Sequence, residues 1–284
     1  MAVARHESGP VAAGRALASQ IHPVFMLPPL ATSLFGALLA GEVTIAVAAL
    51  HAAAMFFAVY TAHVKDGYVD FHVRGEDDDH PLTVGGCRGA LVAAGLGFLT
   101  CTVGLWLVVG PGTALLTLPT WVIGYTHAPQ LDLNPVGATM GYPTGIALAL
   151  LGGYYAQASA LSPRVLGLAA VFLVLLTGIK IIDDEQDYDY DRSIEKRTVA
   201  VVVGPQRARQ LARTLLVAAM LGVVALAFTL PGVPPSAAGA AAAFGVVAAV
   251  AHRAESELAT KLLIRGSYLF LAVLVAAVWF RPLA

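Results

Sequence analysis

Of the 18 acidic residues in this 284-residue chain, 13 fall in two short windows. One window holds Asp66, Asp70, Glu76, Asp77, Asp78 and Asp79. The other holds Asp183, Asp184, Glu185, Asp187, Asp189, Asp191 and Glu195. Carboxylates this dense repel one another, and beside lipid they are costly unless paired or bound to a cation. Asp66 and Asp70 are four residues apart, as are Asp183, Asp187 and Asp191. On a helix that step puts side chains on one face, about 6 Å apart along the axis. A solvated face would mix signs, so acids repeated at this spacing read as metal ligands. Hard carboxylate oxygens favour Mg²⁺, which binds a few protein carboxylates, waters and the phosphate oxygens of a substrate. Two facing aspartate clusters with a diphosphate between them is the predicted arrangement. Asp66, Asp70, Asp183 and Asp187 are the first candidates for the metal, with Asp184 and Asp191 next. Lys65, Arg74, Lys180, Lys196 and Arg197 flank the acids and would complete an anion clamp. Lys180 is the sharpest of these, because a charge inside an apolar run marks a functional position. A plain salt bridge from Lys180 to Asp183 or Asp184 is the competing reading.

Other patterns in the same windows carry less. Glu76 to Asp79 reads as a solvated loop. Asp187, Asp189 and Asp191 have the alternation of a calcium loop, but Arg192 stands where the glycine is needed and no glutamate closes the loop. His63, His72 and His80 share no coherent zinc-ligand spacing. Cys87 and Cys101 fall in one apolar stretch and suggest neither a disulfide framework nor a metal site.

The elements that must position these residues are membrane helices. The chain is 58% hydrophobic and 12% charged, about half the charged share of a soluble domain, with a mean hydropathy of +0.75. That composition excludes a soluble globular enzyme, a disordered chain and a secreted disulfide scaffold. A net charge of −1 excludes nucleic-acid binding through bulk charge. Apolar runs near 22–40, 43–62, 88–109, 111–127, 138–158, 164–182, 209–230, 236–252 and 262–280 are long enough to cross a hydrocarbon core. The fourth, with Pro119, and the eighth, an Ala/Gly run, are the weakest. With nine spans and a cytoplasmic N-terminus, 14 Lys and Arg residues lie inside. Only Arg164 and Arg281 lie outside, as the positive-inside rule requires. The expected fold is an all-α polytopic bundle over residues 21–284, with residues 1–20 as a cytoplasmic lead-in and the C-terminus outside. Both acidic windows then begin at cytoplasmic helix ends, after the second and sixth spans.

These residues resemble the UbiA-type intramembrane prenyltransferase superfamily along nearly the whole chain, from His22-Pro23 to the ninth span. The second window is the more specific part. Asp183, Asp184, Asp187 and Asp191, followed by Glu195-Lys196-Arg197-Thr198 and Gly204, look like the family's acidic run and its basic-Thr tail. Gly152-Gly153-Tyr154-Tyr155-Ala156-Gln157 is similar to a fifth-helix stretch of quinone-forming members. The first window departs from the pattern: the usual Asn maps to Ala62, with His63 beside it, while Asp66 and Asp70 remain. The resemblance implies a nine-helix bundle in the cell membrane with its active site facing the cytoplasm. It implies Mg²⁺, an isoprenoid diphosphate substrate, and transfer of the prenyl chain to an aromatic (quinone-type) or lipid acceptor. The chemistry requires charge stabilisation at the departing diphosphate and exclusion of water from the allylic cation. Tyr68, Tyr125 and Tyr154 are candidates for lining the pocket, and no residue is identified as the final base. A terpene cyclase on the same scaffold, an ion-coupled transporter and a structural membrane subunit are the alternatives.

Overall fold

The computed structural model describes residues 2–281, and among them the regular structure is helical apart from one isolated antiparallel bridge, Ala4 to Leu82. Twelve α-helices follow in order: α1 Pro10–Ala18, α2 Pro23–Ala40, α3 Ile45–Gly67, α4 Val84–Val108, α5 Pro111–Thr126, α6 Pro135–Ala158, α7 Pro163–Gln186, α8 Tyr188–Ser193, α9 Val199–Val203, α10 Pro205–Thr229, α11 Ala238–Ala251 and α12 Ser256–Phe280. A π-helical segment, Tyr68–Arg74, extends α3. Several starts are set by proline at the first helical position (Pro10, Pro23, Pro111, Pro163, Pro205), where its missing N–H removes nothing. Thr83 and Thr198 cap α4 and α9 by accepting from the N–H groups of Gly86 and Val201, as expected for a hydroxyl at an N-cap.

Each of the nine predicted apolar runs coincides with a helix, α2–α7 and α10–α12. Among the described residues, six segments are long and apolar enough to cross a membrane: Pro23–Ala40, Ile45–Arg74, Val84–Val108, Pro163–Gln186, Pro205–Thr229 and Ser256–Phe280. α5 and α11 are shorter, and Pro119 lies within α5 without breaking it, a tolerance common in membrane helices. Leu107, Leu115, Leu221, Phe228 and Phe280 stand exposed. Water would not leave that much apolar surface uncovered, whereas acyl chains would. This is a multi-pass membrane protein.

The described chain divides into two compact units: Met1–Leu131 with Leu148–Ser159, and Asp132–Ala147 with Ala160–Ala284. In the first, α3 packs against α2, α4 and α5, around Phe35, Met55, Phe98 and Leu105. In the second, α7 packs on α10 and α12, and α11 joins α10 and α12. Its core holds Phe172, Phe244 and Phe270, with edge-to-face ring pairs at 5.5 and 6.3 Å.

Within the first unit, α2 and the 148–158 part of α6 approach backbone to backbone. A Cβ on Gly153 would collide with the Ser33 carbonyl, and one on Gly36 with the Leu150 carbonyl. Small residues permit such contacts between membrane helices, and a backbone carbonyl cannot rotate aside. Gly153→Ala is therefore expected to cost about 1–3 kcal/mol, read as a lower Tm in detergent. An unchanged Tm would show that the helices can separate freely at this point.

Candidate active site

In the first unit the motif is built where α3 passes into the π-helical turn. Wide π turns occur at functional positions more than elsewhere, and here the turn carries Asp70 just beyond Asp66. The two carboxylates are half-exposed, and Asp70 lies within electrostatic reach of Asp66, Glu76, Arg74 and Asp77. Arg74 sits 3.5 Å from the Asp70 carboxylate and 3.6 Å from that of Glu76. It braces the motif from within, so the role expected for it at the diphosphate is at least shared with these two acids. Lys65 projects its ammonium over the ring of Tyr125 at 5.2 Å and that of Tyr68 at 5.8 Å, an arrangement that holds a cation in place without neutralising it. Tyr125 in turn stacks on Trp121, and Trp121 on Phe98. Tyr154 is buried.

Two partners of this motif escaped the sequence reading. His127 Nε2 stands 4.0 Å from Asp66. The predicted solvated loop is also tethered: Asp79 accepts from Arg5 at 3.1 Å, lies 2.9 Å from His6, and caps the His80 N–H. Nothing in the spacing of residues 1–20 pointed to this contact.

In the second unit the acids gather at the end of α7. Lys180 Nζ is 2.9 Å from Asp183 and 2.6 Å from Asp184, so the salt-bridge reading describes it. Asp184 is only 2% exposed, and Thr139 donates to it at 3.3 Å. The expected single stripe through 183, 187 and 191 does not form. α7 ends at Gln186, and Asp187 adopts a non-helical backbone (φ −92°, ψ 14°) before α8. A helix C-terminus already carries partial negative charge, and a run of acids there disfavours continuation. The break leaves Asp187 exposed and turns Asp191 inward to 2% exposure. Asp191 feels Lys196, Asp184, Lys180 and Asp187 together, and burial pushes its carboxyl above the usual range against the pull of Lys196 at 3.6 Å. Its Oδ2 is buried without a hydrogen-bond partner. An orphaned carboxylate oxygen among further carboxylates is a donor set suited to a hard cation such as Mg²⁺. Lys196 is half-buried and Arg197 exposed. The Arg197 N–H donates to the Asp132 carbonyl at 2.9 Å, holding the 194–198 turn.

A cavity of about 500 Å³ opens beside Glu185 in the same unit, lined among others by Ile182, Arg209, Arg213, Leu216 and His252. Arg209 pairs with Glu185 at its edge.

The model of the UbiA prenyltransferase family matches residues 29–274. The chain belongs to that family. No curated protein sequence matches it, but solved structures share its fold. A UbiA homolog from Aeropyrum pernix superposes with a TM-score of 0.73 at 18% identity, covering 90% of this chain and 98% of that one. A digeranylgeranylglyceryl phosphate synthase gives 0.74 at 14% identity, over 94% and 98%. A UbiA homolog from Archaeoglobus fulgidus bound to GPP and Mg²⁺ gives 0.67 at 16% identity, over 94% and 99%. At these identities the likeness is one of fold. Ala62, where the resemblance led to an expected amide, lies beside Gly124: a Cβ there would stand 3.5 Å from the Ala62 Cβ.

Proposed function

We propose that this UbiA-family prenyltransferase takes an isoprenoid diphosphate, ionises it with Mg²⁺, and transfers the prenyl chain to an aromatic (quinone-type) or lipid acceptor. The observation that carries the reading is the second motif. There Asp183, Asp184, Asp187 and Asp191 lie with Lys180 and Lys196 at one helix end, and a buried Asp191 oxygen has no protein partner. The A. fulgidus homolog bound to GPP and Mg²⁺ supports the same substrate class. Asp66, Asp70, Asp183 and Asp187, with Asp184 and Asp191, would hold the metal, which when bound supplies positive charge against the departing diphosphate. Lys65, Lys196 and Arg197 would donate to the diphosphate oxygens, and Lys180 would contribute its charge while fixing Asp183 and Asp184. Arg74 positions Asp70. The apolar helices exclude water from the allylic cation, which would otherwise be quenched to an alcohol. Tyr68, Tyr125 and Tyr154 are proposed to border the chain's binding region. The proposed topology has nine spans and a cytoplasmic N-terminus, with the active site facing the cytoplasm. Residues 1–20 form the lead-in and 21–284 the catalytic bundle.

The test is to incubate membranes containing the protein with a series of isoprenoid diphosphates, with and without aromatic and glycerophosphate acceptors, and to analyse the extracted lipids by mass spectrometry. Prenylated acceptor that disappears with EDTA and returns with Mg²⁺ is expected. Cyclised hydrocarbon formed without any acceptor would replace transfer by the cyclase reading, which the loss of the motif's amide at Ala62 favours. Absence of any Mg²⁺-dependent product would contradict both.

A further inference from the structure

We propose that His72, His80 and Cys87 form a second metal site, distinct from the aspartates, that takes a borderline-soft divalent cation of the zinc type. One ligand atom from each residue lies within 4.8 Å of the other two, and His80 Nδ1 is 4.0 Å from Cys87 Sγ. Tetrahedral zinc, with bonds of about 2.0 Å to nitrogen and about 2.3 Å to sulfur, needs its ligand atoms roughly 3.5 Å apart. Closure therefore shortens the widest separation by roughly 1.3 Å, shared between two side chains. Imidazole and thiolate together select zinc or its neighbours over Mg²⁺.

The sequence hides the set because its members come from three pieces of chain: the π-helical turn, the loop after it and the first turn of α4. Their surroundings point to a ligand. His80 is 4% exposed and turns its Nδ1 to Cys87, while its Nε2, on the far edge of the ring, faces Gly67. Its Nδ1 lies 3.2 Å from both the N–H and the carbonyl of Leu82. A ring nitrogen either accepts or donates, so no tautomer uses both contacts. His72 Nε2 meets the same carbonyl at 3.0 Å, so the two imidazoles converge on one point. That carbonyl, or a water, can serve as fourth ligand. The shell is apolar: Ala4, Val64 and Leu82 cluster with Cys87, and Phe71 stacks on His80. Gly67 admits the ring, since a Cβ there would stand 2.6 Å from His80 Nε2. His63 belongs elsewhere, its ring tilted against that of His22 at 4.7 Å and its Nδ1 against the Gln20 carbonyl.

On binding, the Cys87 thiol proton passes to solvent and the thiolate coordinates. The bound cation would tie the segment carrying Asp70 to α4 and secure the Ala4–Leu82 bridge. It takes no part in the prenyl reaction, so the proposal stands whether or not the proposed activity does.

Purified full-length protein, stripped with chelator and kept in excess Mg²⁺, would be titrated with Co²⁺. One equivalent should produce thiolate-to-cobalt charge-transfer absorption, bleached by Zn²⁺. Saturating Zn²⁺ should raise Tm by about 5 °C at a hundredfold excess over Kd. Cys87→Ser and His72→Ala should abolish the band while circular dichroism stays helical, and Cys101→Ser should keep it. No charge-transfer band in folded wild-type protein, which needs no variant, would overturn the site. So would a band that persists in Cys87→Ser.

Discussion

Asp66→Ala and Asp187→Ala are each expected to reduce Mg²⁺-dependent release of diphosphate by at least about a hundredfold, the scale on which preorganised charge at a reacting group acts. Both side chains are open to solvent, Asp66 at 46% and Asp187 in the exposed junction between α7 and α8. Neither is buried in a core cluster, so helical content and Tm should stay near those of the wild type. Loss of turnover without loss of fold is what separates a metal ligand from a structural acid. Single-turnover release from a radiolabelled isoprenoid diphosphate would read the effect. If the chemistry is retained in either folded variant, that residue does not hold the metal.

Lys180→Met should behave in the opposite way and damage stability first. Its ammonium lies between Asp183 and Asp184, and Asp184 is almost wholly buried. Removing one member of a buried ion pair strands the other charge and costs about 3–5 kcal/mol. Adding Asp184→Asn removes the stranded charge while keeping an acceptor for Thr139, and should recover most of that loss. Thermal unfolding of the two single variants and the double variant in one detergent forms the cycle. A double variant no more stable than Lys180→Met alone would show that the pair does not hold the end of α7. Activity is expected to stay low in the double variant even where Tm recovers, because both changes remove charge beside the proposed Mg²⁺.

Much of this was legible in residue order. Apolar runs marked every long helix, since the cost of unsatisfied backbone in lipid leaves the chain few options. The one-turn step from Lys180 to Asp184 and the acid windows could be read directly, because pairing within one turn depends on helix geometry alone. The helix face through Asp183, Asp187 and Asp191 could not. Whether a crowd of like charges lets a helix continue depends on the negative helix terminus and on Lys196, which reaches Asp191 only after the chain turns back. Arg74 illustrates a related limit: its proximity to the acids was visible, but its contacts with Asp70 and Glu76 depend on how the segment after α3 closes, with the Glu76 N–H donating to the Asp70 carbonyl at 2.8 Å. The grouping of His72, His80 and Cys87 and the grip of Arg5 and His6 on Asp79 are likewise products of loop closure. No periodicity encodes them. Membership of the UbiA family was the most accessible conclusion, because it rests on residues 29–274 as a whole.

The most direct measurement is binding of a non-ionisable isoprenoid thiolodiphosphate to the purified protein, followed calorimetrically with and without Mg²⁺. One site per chain is expected, dependent on Mg²⁺ and lost in Asp66→Ala and in Asp187→Ala alike, because the proposed function assigns both residues to the metal. Binding that survives removal of Mg²⁺, or of either motif in a folded variant, would contradict the account.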